Sequence, residues 1–421
     1  MTILPSKKLV ALAAVLACAA LHVGCSGSGL KNIQQGNPQS GQVWEKRGER
    51  LVVPFEWYDG HLIVPVRING SEPLRFAFDS GAAATVLFET ERTRSLQLEI
   101  ERQITLGEAP GKPGTPVNIV NDVRICLDGI SLNRMTILHV PLARSPIFAS
   151  MEEAYFDGAI GYDLLHRFVT EIDYTNRTIT FTRGAANTTL DPHWQTLPID
   201  VSGRVPLLAA RLSSGASSAE SVQLIVDTGA PSYVYLNPDL TQRIGVPRRH
   251  YLTRGNGFNG PFERMTGRVE TFGIGTIEFN DLVTHFDRTD FKDLGRGVGL
   301  IGNRVLRNFD LLFDYSAGTL SMRPNTGFDS GSAADRSGID LEPHRQGAIV
   351  QSVAEDSAAS GIGLGRGDVV TRLDGQRVGQ SNFDELKELL GLSREAVEIC
   401  WRSGSTEAEE VCKRLPLWDR L

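Results

Sequence analysis

The stretch Leu74-Arg75-Phe76-Ala77-Phe78-Asp79-Ser80-Gly81-Ala82 runs from an apolar segment into an acidic residue, a small hydroxyl residue and a glycine. Leu224-Ile225-Val226-Asp227-Thr228-Gly229-Ala230 repeats that order further along the chain. A carboxylate at the end of a buried strand is costly unless something holds it there. Two such segments in one chain imply that the two carboxylates meet. A pair of Asp side chains in contact cannot both ionise, so they share a proton and can activate a water.

The repetition extends outward from these segments. Val64-Pro65 returns as Val205-Pro206, Thr105-Leu106-Gly107 as Thr253-Arg254-Gly255, Gly158-Ala159-Ile160-Gly161 as Gly299-Leu300-Ile301-Gly302, and Asp173-Tyr174 as Asp314-Tyr315. The offset is 148 residues at the Asp and the Thr-x-Gly landmarks and 141 at the others. The extra residues before Asp227 fall at 213–221, a small polar tip where an insertion costs little. A period this long marks a duplicated domain, because solenoid repeats are much shorter. The alternative, in which Asp79 and Asp227 are ordinary turn residues, explains neither the duplication nor the apolar strand before each Asp.

The order Asp-Ser/Thr-Gly, glycine-rich loop, apolar-Ile-Gly resembles one lobe of the pepsin and retropepsin aspartic proteases, and two copies resemble the fused, two-lobed form over about 51–323. The resemblance implies a mainly β fold in which duplicated acid-protease-like barrel lobes form one cleft, with Asp79 and Asp227 as the catalytic pair. Ser80 and Thr228 would bond across the lobes. Gly81 and Gly229 would let the backbone turn toward the carboxylates, and Gly161 and Gly302 would let a strand pass close behind each Asp loop. The glycine-rich stretches 107–114 and 255–260 become candidate flap hairpins, with Gly107, Gly255, Phe258 and Phe262 as flap residues. Surface hairpin tips without a role are the other reading. Neither stretch holds the tyrosine of the dominant pepsin flap, so two similar flaps of the retropepsin kind are expected.

Composition and motifs argue against several other classes of chemistry. At 421 residues the chain exceeds one ordinary domain, and a net charge of −7 argues against a nucleic-acid surface. The histidines are scattered, and neither Cys-x-x-Cys nor His-Glu-x-x-His occurs, so no metal or other cofactor is expected.

The N-terminus reads as an export signal. Lys7-Lys8 precede an apolar run over 9–21, short for a membrane span, which ends at Val23-Gly24-Cys25-Ser26. Small residues before a cysteine resemble the bacterial lipoprotein signal, which makes Cys25 the lipidated residue; cleavage without lipid is the alternative. The expected organisation is a signal peptide over 1–24, a polar tether over 25–50, lobes over 51–190 and 191–324, and a linker over 325–336. The expected location is the cell envelope, lipid-anchored to the membrane, with the domains in the periplasm or outside the cell. Cys400 and Cys412, flanking a Ser-Gly-Ser turn, are a disulfide candidate in an oxidising compartment, and Cys126 reads as a buried free thiol.

Beyond the linker the chain changes character. Gly347-Ala348-Ile349-Val350, Ser357-Ala358-Ala359, Gly361-Ile362-Gly363-Leu364, Gly367-Asp368-Val369-Val370 and Leu373-Asp374-Gly375 follow in an order that resembles an α+β PDZ domain over 337–415. An amphipathic helix over 382–390 would bury Phe383, Leu386, Leu389 and Leu390. The resemblance places Gly338, Ile339 and Asp340 in the loop that holds a peptide's C-terminal carboxylate, although Asp340 would repel one if turned inward. Domain docking without peptide binding is the alternative. The leading functional reading is an aspartic endopeptidase (a hydrolase) acting on peptides or proteins, with partner C-termini at the PDZ groove. The competing one is a non-catalytic peptide-binding lipoprotein on a protease-like scaffold. If the PDZ domain only recruits, its removal should leave hydrolysis of short peptides unchanged.

Overall fold

A computed structural model describes residues 28–46, 48–106, 115–141, 155–184, 190–214, 219–257, 260–287, 299–355, 357–403 and 409–421, leaving aside the side chains of 28–30, 106, 253–257, 260–263 and 380. The signal segment, Cys25, Gly107 and Phe258 lie outside the described residues, and for Gly255 and Phe262 only the backbone is described. Among the described residues no helix is long and apolar enough to cross a membrane. The fold is mainly β, in three sheets of nine, thirteen and six strands.

Both copies use the same strand order. Leu74–Phe78 lies parallel to Gly158–Ile160, and Glu220–Val226 lies parallel to Gly299–Ile301. Val86–Phe88 pairs in parallel with the end of Ile130–Val140, as Val234–Leu236 does with Ile277–Asp287. Val86–Phe88, Gly158–Ile160, Val234–Leu236 and Gly299–Ile301 are buried throughout, which is why they hold no charged residue. Each copy also carries a long hairpin. Glu99–Leu106 pairs with Thr115–Leu127, and His250–Gly257 with Gly260–Ile274, the latter in register to Gly257 opposite Gly260.

The halves are joined by main chain. In the thirteen-stranded sheet, Gln195–Asp200, Thr319–Pro324, Phe309–Asp314, Val169–Asp173, Thr178–Thr182 and Arg50–Pro54 lie side by side. At the seam Glu171 faces Leu312, its own counterpart at the 141-residue offset, with Thr170 opposite Phe313 and Ile172 opposite Leu311. One apolar cluster runs through both copies, from Val53, Phe76 and Phe78 to Leu224, Phe309 and Phe313.

Two segments read as connectors are packed against the lobes. Within 25–50, the helix Ser28–Gln35 buries Ile33, Asn37 donates to Thr136 O and Asp163, and Gln42–Trp44 pairs with Ile130–Val140. The tether is therefore not free from Ser28 onward, because buried Asn37 and the strand Gln42–Trp44 fix it to the first copy. Within 325–336, Ser332 accepts from Arg268 and Val283 N, and Ala333 N donates to the Tyr233 hydroxyl.

The six-stranded sheet runs from Ile339–His344 to Val411–Pro416 around its own apolar cluster. Helix Phe383–Glu388 and the 3-10 turn Leu389–Gly391 bury Phe383, Leu386 and Leu390, while Leu389 is only partly covered. Cys400 and Cys412 stand directly opposite on neighbouring strands and form a disulfide. Cys126 is free but half-buried rather than buried, 3.3 Å from the Ser131 hydroxyl.

Candidate active site

Each Asp is delivered by the end of a central strand. Asp79 N donates to Ile160 O at 3.0 Å, and Asp227 N donates to Ile301 O at 2.9 Å. Each loop then folds back on its own carboxylate: Gly81 N donates to Asp79 Oδ1 and Gly229 N to Asp227 Oδ1, both at 2.8 Å. Glycine is required here by space. A Cβ on Gly81 would stand 2.9 Å from Asp227 Cγ, and one on Gly229 would stand 2.3 Å from Asp79 Cγ. Each glycine thus presses against the carboxylate of the other copy. Behind the loops, a Cβ on Gly161 would come within 1.8 Å of Asp79 O, and one on Gly302 within 2.4 Å of Ser232 O.

Four hydrogen bonds tie the loops together with two-fold symmetry. Ser80 N donates to Thr228 Oγ1 (2.9 Å) and Thr228 N to Ser80 Oγ (3.0 Å). The Ser80 hydroxyl donates to Val226 O (2.6 Å) and the Thr228 hydroxyl to Phe78 O (2.8 Å). Each buried hydroxyl spends its proton on the opposite strand and accepts from the opposite N–H, a role only Ser or Thr fills in so small a space.

Asp79 and Asp227 are both buried and within hydrogen-bonding reach of each other. Two ionised carboxylates have no proton to share, so Asp227 Oδ2 has no partner until one of the pair is protonated. Burial pushes the Asp79 carboxyl up to about 6, against the opposing pull of the Asp227 hydrogen bond and the N–H groups of Gly81 and Ala82. Asp227 is raised well above the ordinary carboxylate range by burial and then by the charge of Asp79. Both carboxyls are thus raised by burial, and the pair shares one proton.

The surroundings are not symmetric. Asn303 donates to Thr228 O (2.6 Å) and to Gly60 O (2.8 Å), and accepts from the Tyr174 hydroxyl (2.8 Å). Tyr315, the counterpart of Tyr174, is buried beside the pair, with a hydroxyl that meets no partner. In the sequence, Asp173-Tyr174 and Asp314-Tyr315 stand out only as markers of duplication. Their recurrence was the one signal that they stand behind the carboxylates, and Asn303, opposite Tyr162 in the other copy, gave none.

The third sheet reaches the same region. Asp59, at the tip of the hairpin made by Glu56–Tyr58 and His61–Ile68, donates its N–H to Asp384 (2.7 Å) and accepts from Lys387 (3.0 Å), both on helix Phe383–Glu388. Burial lifts Asp340 and Asp384 to about 6. In the loop assigned to carboxylate binding, Gly338 N donates to Asp335 and Ile339 N to the Ser337 hydroxyl. Among the described residues, one group of His, Cys, Asp and Glu side chains is close enough to share a cation: Cys400, Glu410 and Cys412. Its two thiols are consumed in the disulfide.

Comparison with protein families agrees with this layout. A family described as aspartyl protease matches residues 214–304, which include Asp227, Thr228, Gly229, Gly302 and Asn303. A family described as PDZ domain matches residues 337–395. No curated protein matches the chain.

Proposed function

From an aspartyl protease domain followed by a PDZ domain, we propose that the chain is an aspartic endopeptidase whose active pair is Asp79 and Asp227. The observation that carries this reading is the contact of two buried carboxyl groups, each accepting from the N–H of its own glycine, on loops tied to each other by the Ser80 and Thr228 hydroxyls. In the monoanionic pair, ionised Asp79 takes a proton from a water held between the two carboxyls. Protonated Asp227 donates to the scissile carbonyl, which becomes a tetrahedral diol. The proton taken by Asp79 then passes to the departing amine as the C–N bond breaks, while one diol hydroxyl returns its proton to Asp227 as the new carboxyl group forms, so the pair again holds one proton. The hairpins Glu99–Leu106/Thr115–Leu127 and His250–Gly257/Gly260–Ile274 serve as flaps over the bound peptide.

The test is hydrolysis of a mixed peptide library by the chain and by Asp79→Asn and Asp227→Asn. Each amide keeps the shape but cannot cycle the proton, so each should lose on the order of a hundred- to ten-thousandfold in rate while the fold persists. Near-native turnover by either variant would refute the assignment.

The same reading places the protein in the cell envelope, exported and anchored by lipid on Cys25, with lobes over 51–190 and 191–324 and the PDZ domain engaging peptide segments of substrates or partners. It is supported by the apolar run over 9–21 ahead of Gly24-Cys25 and by the Cys400–Cys412 bridge, which suits an oxidising compartment. Cys25→Ser should move the protein from the membrane to the soluble fraction. Retention on membranes washed with high salt would exclude the lipid anchor.

A further inference from the structure

Residues 335–339 form a ring of hydrogen bonds at the entrance to the six-stranded sheet. Ser337 N and Gly338 N donate to the two oxygens of the Asp335 carboxylate at 3.0 and 2.7 Å. The Ser337 hydroxyl donates to the same carboxylate at 2.5 Å, and Ile339 N donates to that hydroxyl at 3.1 Å. Arg420 closes the far side, with Nη1 2.9 Å from Asp335 Oδ2, and its guanidinium lies 3.9 Å from the centre of the Tyr251 ring.

Successive N–H groups converging on one point make an anion nest, and a PDZ domain uses such a nest to take the terminal carboxylate of a peptide that adds to its sheet edge. The edge is present: among the described residues, Ile339–His344 is the outermost strand of its sheet and pairs only with Gly347–Val353. Gly338 is fixed in the nest by its positive φ of 77°, and a Cβ there would meet Ser357 Cβ at 2.2 Å. The carboxylate already in the nest belongs to the chain itself. A local turn made by Asp335 would satisfy the two N–H groups alone. The added guanidinium, drawn from the 417–421 segment and braced on Tyr251 of the neighbouring lobe, makes the arrangement a clamp.

We propose that Asp335, clamped by Arg420, is a built-in occupant of the PDZ carboxylate site, so that a peptide with a free C-terminus binds there only by displacing it. Displacement breaks the Asp335–Arg420 pair, and Arg420 also braces Tyr251 in the hairpin strand His250–Gly257. Arrival of a peptide at the nest is therefore felt on the protease side through one guanidinium. The inference builds on the proposed peptide role of the PDZ domain and does not depend on hydrolysis, so its test reads binding alone.

The full chain carrying Asp227→Asn, which cannot consume the probe if the protease reading holds, is titrated with a random-sequence peptide pool in two forms, free acid and C-terminal amide. With the clamp intact, the two forms should bind within about twofold of each other. Asp335→Ala frees the nest, and the acid form should then bind about tenfold or more tighter than the amide, the gain expected for charge-assisted hydrogen bonds. Arg420→Gln loosens the clamp without emptying the nest and should give a smaller preference of the same sign. Circular dichroism establishes which variants fold, and Arg420→Gln decides alone if Asp335→Ala does not. A tenfold acid preference with the clamp intact overturns the proposal, as does a folded variant that gains none.

Discussion

At the scale of single residues, the two carboxyls set the expected response to pH. Asp79 is raised to about 6 and Asp227 well above the ordinary range, both chiefly by burial. The pair titrates as a unit, and its singly protonated form exists between those two steps. If the pair is catalytic, turnover should climb as pH rises through about 6 and fall only where the second proton leaves, which puts the expected optimum near neutrality rather than in strong acid. The stability sign is the reverse of the usual Asp case. A folded pKa above the unfolded value of 3.8 means the folded chain binds more protons, so this contribution is complete below 3.8 and is lost as pH rises through about 6. Asp227→Asn should then unfold at a higher temperature than the unsubstituted chain at pH 8 and show no such advantage at pH 3, which melting curves at the two pH values can check. The pair itself was legible in the sequence because its chemistry demands a tripeptide that recurs. Asn303 was not, because a single buried amide bridging three partners leaves no pattern along the chain.

At the scale of elements, the close passage of one strand behind each Asp loop is the feature most sensitive to a single methyl. Gly161→Ala would drive a Cβ to 1.8 Å from Asp79 O, a backbone atom that cannot step aside, and Gly302→Ala to 2.4 Å from Ser232 O. Overpacking of this kind costs typically about 1–3 kcal/mol and more where backbone must move. Both variants should be destabilised in urea titration, Gly161→Ala more than Gly302→Ala. A stability within about 0.5 kcal/mol of the parent for Gly161→Ala would contradict the packing described. These glycines were found by sequence because the x-Ile-Gly landmark recurs in the order the duplication requires. The helix over 382–390 was also legible from its apolar spacing, although its last turn tightens to 3-10. The packing of Ser28–Gln35 was not, since a polar helix held by Asn37 and one buried isoleucine carries the composition of a tether.

At the scale of the whole molecule, the PDZ domain is more than an appendage. Its helix grips Asp59, the next residue's carbonyl is held by Asn303, and Asn303 holds the carbonyl of Thr228 beside the Asp79–Asp227 pair. Leu421 is buried in the apolar cluster shared by the lobes. These contacts amend the expectation that removing the domain leaves short-peptide turnover unchanged. Deletion of 337–421 should lower kcat for short peptides by about ten- to a hundredfold, the range a small displacement of reacting groups produces. Lys387→Met, which breaks one grip without exposing a core, should lower it less. Unaltered kcat in the truncated chain, with the lobes still folded, would show that the grip does not reach the pair. Sequence could not reveal this coupling, because Asp59 and Lys387 are 328 residues apart and each reads as an ordinary surface charge.

The seam at which Glu171 faces Leu312 bears on how a substrate enters. Two bodies joined by a flexible linker can swing apart and reclose at little cost. Here the bodies share a continuous ladder, and the joint lies inside it, so any swing must shear paired strands and expose their backbone groups to water. If the pair cleaves peptides, this seam would give the site a rigid floor, and admission would fall to the long hairpin of each copy. A long peptide would thus be threaded beneath those hairpins or meet them already raised, and an unstructured stretch of a protein suits that entrance better than a folded surface.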